Sequence, residues 1–180
     1  MDPQVHPRRD EGGFTLIEVM IASSILVTGL LALAYAYLSG FAVILTGQQD
    51  TIARQKAREA MECVFSARDN ATLNFSQVCN VGNGTGCIFI NGFEPLYQAG
   101  ADGIFNTADD ATLEQIWTPG PDGILGNADD VQVSLTNYQR QIQITQVSSV
   151  LVQITVTIQY TTPKGLSRSV VVQSYMSAYV

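Results

Sequence analysis

The 180-residue chain predicts an α+β fold: one long N-terminal helix packed on a small antiparallel β-meander, with a long, pinned αβ-loop between them. Three observations carry that reading. An apolar run from Phe14 passes without a proline into an amphipathic segment ending near Arg68. The last third of the sequence alternates with period two. The stretch between them holds two cysteines and a repeated acidic turn.

The helix comes first. Val19 to Leu45 gives 27 residues without a formal charge, and about 20 suffice to span a bilayer. From Gln48 the character changes. Ile52, Ala53, Ala57, Ala60, Met61 and Val64 recur at helical spacing beside Arg54, Lys56, Arg58, Glu59 and Glu62, so one face is built to meet a partner layer. The helix is therefore expected over 14–68, with 14–45 transmembrane or otherwise in an apolar surrounding. One acid, Glu18, opens the apolar run, and a charge at depth in a bilayer costs roughly 2.5–3.5 kcal/mol on insertion scales. A cut after Gly13 would place a positive α-amine on Phe14, one helical turn from Glu18.

The residues before it form a short polar leader, Met1 to Gly13, in which Arg8 and Arg9 favour the cytoplasmic side. A secretory signal also has a basic start, but its cleavage site follows the apolar run. Ala32-Leu33-Ala34 and Ala34-Tyr35-Ala36 supply that pattern. The acid inside the run and the length of the run argue for the earlier cut.

Gly12-Gly13 followed by FTLIEVMIA, Phe14 to Ala22, resembles the prepilin signal of type IV pilins and pseudopilins. The resemblance implies a type IV pilin-like fold and cleavage after Gly13 by a membrane peptidase that also methylates the new Phe14 amine. It further implies that Glu18 pairs with a neighbouring subunit's N-terminus during filament assembly. The continuation ILVTGLLALA, Ile25 to Ala34, resembles minor pilins of the PilV type. No proline occurs between Pro7 and Pro95, whereas major pilins often bend this helix with one near Tyr35. The expected localisation is the bacterial inner membrane before assembly, then a pilus or pseudopilus at the cell surface.

Composition narrows the function. Loss of the leader leaves 7 basic against 13 acidic residues, and none of the basic ones lies between Asp69 and Gln139, so nucleic acid is not an expected partner. His6, the sole histidine, lies in the leader. Histidine-based nucleophilic and general-base catalysis is thereby removed from the processed chain, and no enzyme is expected.

The C-terminal third supplies the sheet. Tyr138, Arg140, Ile142 and Ile144 alternate with glutamines, and Val152, Ile154, Val156, Ile158 and Tyr160 alternate with Gln and Thr. Thr161 to Gly165 reads as a turn, and Ser167 to Ser177 as the returning strand. The head is then expected over 69–180, with a loop region at 69–130 and the sheet at 131–180.

A loop of that length needs pinning. Cys79 and Cys87 bracket Gly82, Gly84 and Gly86, and closing so small a loop would stabilise by roughly 2–3 kcal/mol. Pairing of Cys63 with Cys79 or with Cys87 is the alternative. Farther on, Gly100 to Ala111, GADGIFNTADDA, repeats as Gly120 to Val131, GPDGILGNADDV, with seven of twelve positions identical. One copy carries Asp102, Asn106, Asp109 and Asp110; the other carries Asp122, Asn127, Asp129 and Asp130. Oxygen donors on turns suit Ca2+, with Asp102, Asp109, Asp122 and Asp129 the stronger candidates and the second Asp of each pair a turn cap. Solvated acidic turns without a metal are the alternative, since the pattern lacks the EF-hand start and its terminal Glu. Asn-x-Ser/Thr patterns at Asn70, Asn74 and Asn83 are incidental in a bacterial chain.

The expected function is that of a minor pilin that initiates, modifies or decorates a type IV pilus, with a calcium-stabilised head. Its partners would be other pilin subunits, the prepilin peptidase/methyltransferase and the inner membrane. A type II secretion pseudopilin and a membrane-tethered adhesin or ligand receptor are the competing readings.

Overall fold

The structure is a computed structural model that describes residues 13–179; the leader expected over residues 1–13 lies outside them except for Gly13. The chain divides into two compact units, up to Val43 and from Ile44 onward. One helix, α1 (Leu16–Asp69), contributes to both. Thr15 starts it: the Glu18 amide donates to the Thr15 hydroxyl at 3.3 Å, and no later proline interrupts the ladder.

In the first unit the side chains from Phe14 to Val43 are not buried within the chain itself. This part of α1 is long and apolar enough to cross a membrane. Its few hydroxyls bond to their own helix, Ser24 to the Met20 carbonyl at 2.8 Å and Thr28 to the Ser24 carbonyl at 3.0 Å. Lipid offers no partner for a hydroxyl, so these internal bonds make the segment compatible with an apolar surrounding.

In the second unit α1 buries Ala53, Ala57, Ala60, Met61, Val64 and Ala67. Apart from the adjacent pair Ala60 and Met61, successive members lie three or four positions apart, which puts them on one stripe, and the alanines let the helix approach the sheet closely. The facing layer is a four-stranded antiparallel sheet in the order β1-β4-β5-β6, from β1 (Glu94–Pro95), β4 (Tyr138–Ser148), β5 (Leu151–Thr161) and β6 (Ser167–Ser177). Every second residue of β5 from Val152 to Tyr160 is buried, as the period-two pattern requires. Ile142, Ile154, Val156 and Ile158 form the centre of the core with Val64 and Phe89. This helix on an antiparallel sheet is an α+β, type IV pilin-like arrangement.

The segment expected to be loop through residue 130 contains more order than its composition suggests. A single 3-10 turn occupies Phe75–Gln77, and β2 (Gln115–Thr118) pairs with β3 (Val131–Ser134) in a separate antiparallel ribbon. Within the 131–180 stretch expected as sheet, β3 belongs to the ribbon and β4, β5 and β6 to the four-stranded sheet. Both ribbon strands are short and largely solvated, so no buried face imposes a readable period.

Cys79 and Cys87 are joined by a disulfide, and Cys63 on α1 remains a thiol that donates to the Gly103 carbonyl at 3.2 Å. Beside the disulfide, the buried Asn80 works as a surrogate strand. Its amide nitrogen donates to the Ile142 carbonyl at 2.8 Å, and its oxygen accepts from the Ile144 amide at 2.7 Å. The edge of β4 beyond its short pairing with β1 is thus satisfied by a side chain rather than by another strand.

Candidate functional site

Gly13 and Phe14 are exposed immediately before α1, a geometry open to a peptidase. Counting from Thr15 as the cap, Glu18 occupies the third helical position, where a carboxylate meets the positive end of the helix dipole. The Thr-x-x-Glu spacing therefore has a local consequence: it starts the helix immediately after the Gly13–Phe14 junction.

The first acidic copy is folded around its aspartates. Asp110 accepts from the Gly100 amide at 2.8 Å and, through its other oxygen, from the Asn106 amide at 2.6 Å and the Thr107 amide at 3.3 Å. Burial pushes its carboxyl above the ordinary range against the pull of those amides. Asp109 accepts from the Thr107 hydroxyl at 2.7 Å and from the Asp102 amide at 3.2 Å, which holds its carboxyl below the ordinary range. Asp102 caps its own turn through the Ile104 amide at 2.8 Å. The net result is a convergence: one oxygen each from Asp102, Asp109 and Asp110 lies within 4.8 Å of the others. Asn106, in the left-handed region at φ 67°, is buried; its amide nitrogen reaches the Ile90 carbonyl at 3.4 Å, while its side-chain oxygen has no hydrogen-bond partner.

The second copy repeats the turn but not the convergence. Asp122 accepts from the Ile124 amide at 2.9 Å, and Asp130 from the Gly126 amide at 2.6 Å and the Asn127 amide at 3.2 Å. The Asn127 amide nitrogen donates to the second oxygen of Asp122 at 2.6 Å, so Asn127 presents a donor where an oxygen ligand was expected. Asp129 packs against Gly120 as Asp109 packs against Gly100: at either glycine a Cβ would overlap the carboxyl of that aspartate. Among the described residues, only the first copy gathers three carboxylates.

The copies also differ in what holds them. Ile104 is 2% exposed in the core, whereas its counterpart Ile124 is 63% exposed. The anchor of the first copy was not legible in the sequence. Arg140, fully inside, lies over the Phe105 ring at 4.2 Å, donates to Glu114 Oε1 at 2.9 Å and donates to the Tyr97 carbonyl at 2.8 Å. Glu114 Oε2 meets Lys56 Nζ at 2.7 Å, and Lys56 also pairs with Glu59 at 2.8 Å. Burial pulls the Lys56 ammonium down, but the Glu114 and Glu59 hydrogen bonds outweigh it and raise it above its ordinary value. The network ties α1, the acidic loop and β4 together.

A cavity of about 510 Å³ runs along the exposed side of α1 between Arg54, Arg58, Glu59 and Glu62, lined by paired surface charges. Such a surface is a solvated helix face rather than an apolar ligand cleft.

No curated protein and no solved structure matches the chain. Residues 8–34 match the family model of the prokaryotic N-terminal methylation motif, which spans the Gly13–Phe14 junction, Glu18 and the apolar start of α1. That motif implies processing by a prepilin peptidase and assembly with other pilins, and points to a structural subunit. The chain thus carries a prokaryotic N-terminal methylation motif at the head of a long helix that packs on an antiparallel sheet, a combination that supports a likeness to type IV pilins and pseudopilins in general.

Proposed function

We propose that this chain is a minor type IV pilin, of the PilV type, that initiates, modifies or decorates a pilus. The observation that supports it most is the pairing of an exposed Gly13–Phe14 junction with Glu18 one turn into an otherwise apolar, proline-free helix. Cleavage would create a cation on Phe14, and methylation would leave it cationic. In the membrane the precursor holds its helix in lipid; in a filament the helices bury against each other, and Glu18 of one subunit neutralises the Phe14 amine of a neighbour. A desolvated charge pair specifies register even where it adds little net stability, because a mispaired subunit leaves both charges uncompensated.

The head in this reading is stabilised by calcium. Support comes from the oxygen-only donor set of Asp102, Asp109 and Asp110 and from the partnerless Asn106 oxygen in the same turn. Asp102 Oδ1 and Asp110 Oδ1 each accept one amide, and an oxygen with one such bond keeps a second lone pair for a hard cation. Asp122, Asn127, Asp129 and Asp130 would take a second ion only after the Asn127 amide turns its oxygen inward, so the second copy binds more weakly.

Expression with a prepilin peptidase tests the processing step: mass spectrometry should find a chain beginning at N-methyl-Phe14. Shearing the cells should then release this chain with pilus filaments. A chain retained with its leader would end the filament reading. A processed chain that instead co-purifies with a secretion pseudopilus would replace the pilin assignment by that of a pseudopilin.

A further inference from the structure

The four-stranded sheet buries one face under α1 and leaves the other in water, and that outer face is chemically uniform. Cross-strand neighbours on β4, β5 and β6 form the rows Gln143–Thr155–Gln173 and Thr145–Gln153–Tyr175. Two further rows, at positions 139 and 141 of β4, continue with glutamine, threonine, serine and one valine. In all, twelve side chains in four rows contain no acid and no base, although the chain carries 25 charged residues. Strands about 4.8 Å apart with same-face residues about 6.8 Å apart make a regular grid of amides and hydroxyls. Tyr175 stands out of it, 57% exposed, with its hydroxyl accepting from the Gln153 amide at 3.3 Å.

We propose that this face docks a neutral polysaccharide. Charge complementarity selects that partner. A nucleic acid, a phospholipid headgroup or a charged peptide would find no opposite charge on the grid. An apolar partner would strip water from amides and hydroxyls and leave them unpaired, at about 1–3 kcal/mol for each group. The partner must instead offer donors and acceptors at high density, without charge, on a flat surface. Glutamine amides present both kinds of group, and threonine hydroxyls rotate to suit either. A chain of uncharged sugars has that hydroxyl pattern on its edges and C–H faces on its rings. The Tyr175 ring supplies an apolar face for such a stack and keeps its hydroxyl in the grid. The open edge of β6, the outermost strand, leaves the grid accessible from the side.

The test uses the full chain in a zwitterionic detergent that lacks a sugar headgroup, sedimented with insoluble cellulose and with chitin. Co-sedimentation with either should persist in about 1 M NaCl, where the Debye length is only ~3 Å. Tyr175→Ala should weaken retention about tenfold, the size of one aromatic stacking contact, with an unchanged melting temperature. Thr155→Glu, which puts a charge in the middle row, should abolish it. The proposal is overturned if neither polysaccharide retains the chain, if salt removes the binding, or if both variants bind like the parent. It is also overturned if sedimentation velocity shows a dimer that Thr155→Glu dissociates, which would assign the face to a second copy.

Discussion

Glu114 and Arg140 meet inside the head at 2.9 Å with side chains 5% and 1% exposed, and the arginine simultaneously covers the Phe105 ring. The pair joins the acidic loop to β4, while Lys56 brings α1 to the same carboxylate. Removing one partner of a buried pair strands the other charge, a loss of about 3–5 kcal/mol. Glu114→Ala should therefore lower the unfolding free energy of the head by about that amount in urea titration. The double variant Glu114→Ala with Arg140→Met should recover part of it, because no uncompensated guanidinium remains. Equal stability of Glu114→Ala and the parent would show that the network carries no net energy.

Tyr138 and Lys56 are among the groups whose proton affinity rises on folding, and alkaline stability follows from them. Tyr138, stacked on Tyr160 with ring centroids 5.5 Å apart, is pushed up to about 12 by burial, from 10.0. Lys56 is raised as well, burial being outweighed by Glu114 and Glu59. In each case the folded state holds the proton more tightly than the unfolded chain. The contribution is complete below the unfolded value and disappears as pH climbs through the folded one. The head should thus lose stability from about pH 10 toward pH 12, and Tyr138→Phe should flatten that slope. A melting temperature independent of pH over this window in the parent would contradict the assignment.

The two acidic copies make a paired prediction about metal. A Cβ at Gly100 collides with the Asp109 carboxyl, and one at Gly120 with that of Asp129. If the first copy is the tighter calcium site, excess Ca2+ should raise the melting temperature of the parent relative to EGTA, by about 2.7 kcal/mol of added stability at a hundredfold excess over Kd. Gly100→Ala should remove most of that rise, and Gly120→Ala should leave most of it. A rise that is absent in the parent, or that responds to Gly120→Ala instead, would remove calcium from the first copy.

What could be read from the sequence depended on whether a buried face stood behind each pattern. Alternate residues of β4 and β5 face α1, so their period was visible, and Arg140 fell on the same face as Tyr138 and Ile142. Its partner was not visible: Glu114 is 26 positions upstream and meets Arg140 only in the folded chain. The ribbon strands β2 and β3 have four residues each and little burial, leaving nothing periodic to detect. Asn80 looks like a turn residue, yet it replaces a strand along β4. The inequality of the acidic copies was hidden for a related reason. Seven identical positions preserve the turn, but the substitutions at 105 and 125 decide whether an aromatic ring is there to accept Arg140.

Glu18 stands in the first turn of α1, and in the proposed filament it would also pair with a neighbour; substitutions can tell the two jobs apart. Thr15→Ala removes the hydroxyl that caps the Glu18 amide, a loss of about 1 kcal/mol at the helix start, and leaves the charge in place. Glu18→Gln keeps a residue able to complete a capping box and removes the charge. Neither change touches the core between α1 and the sheet, so the alkaline and urea transitions of the head should be unaltered in both. Incorporation into sheared filaments should survive Thr15→Ala and fail in Glu18→Gln and Glu18→Ala, although all three chains are processed after Gly13. Filaments that contain Glu18→Gln at the parental level would mean that the carboxylate serves the helix terminus alone, and that the Phe14 amine finds its counter-charge elsewhere.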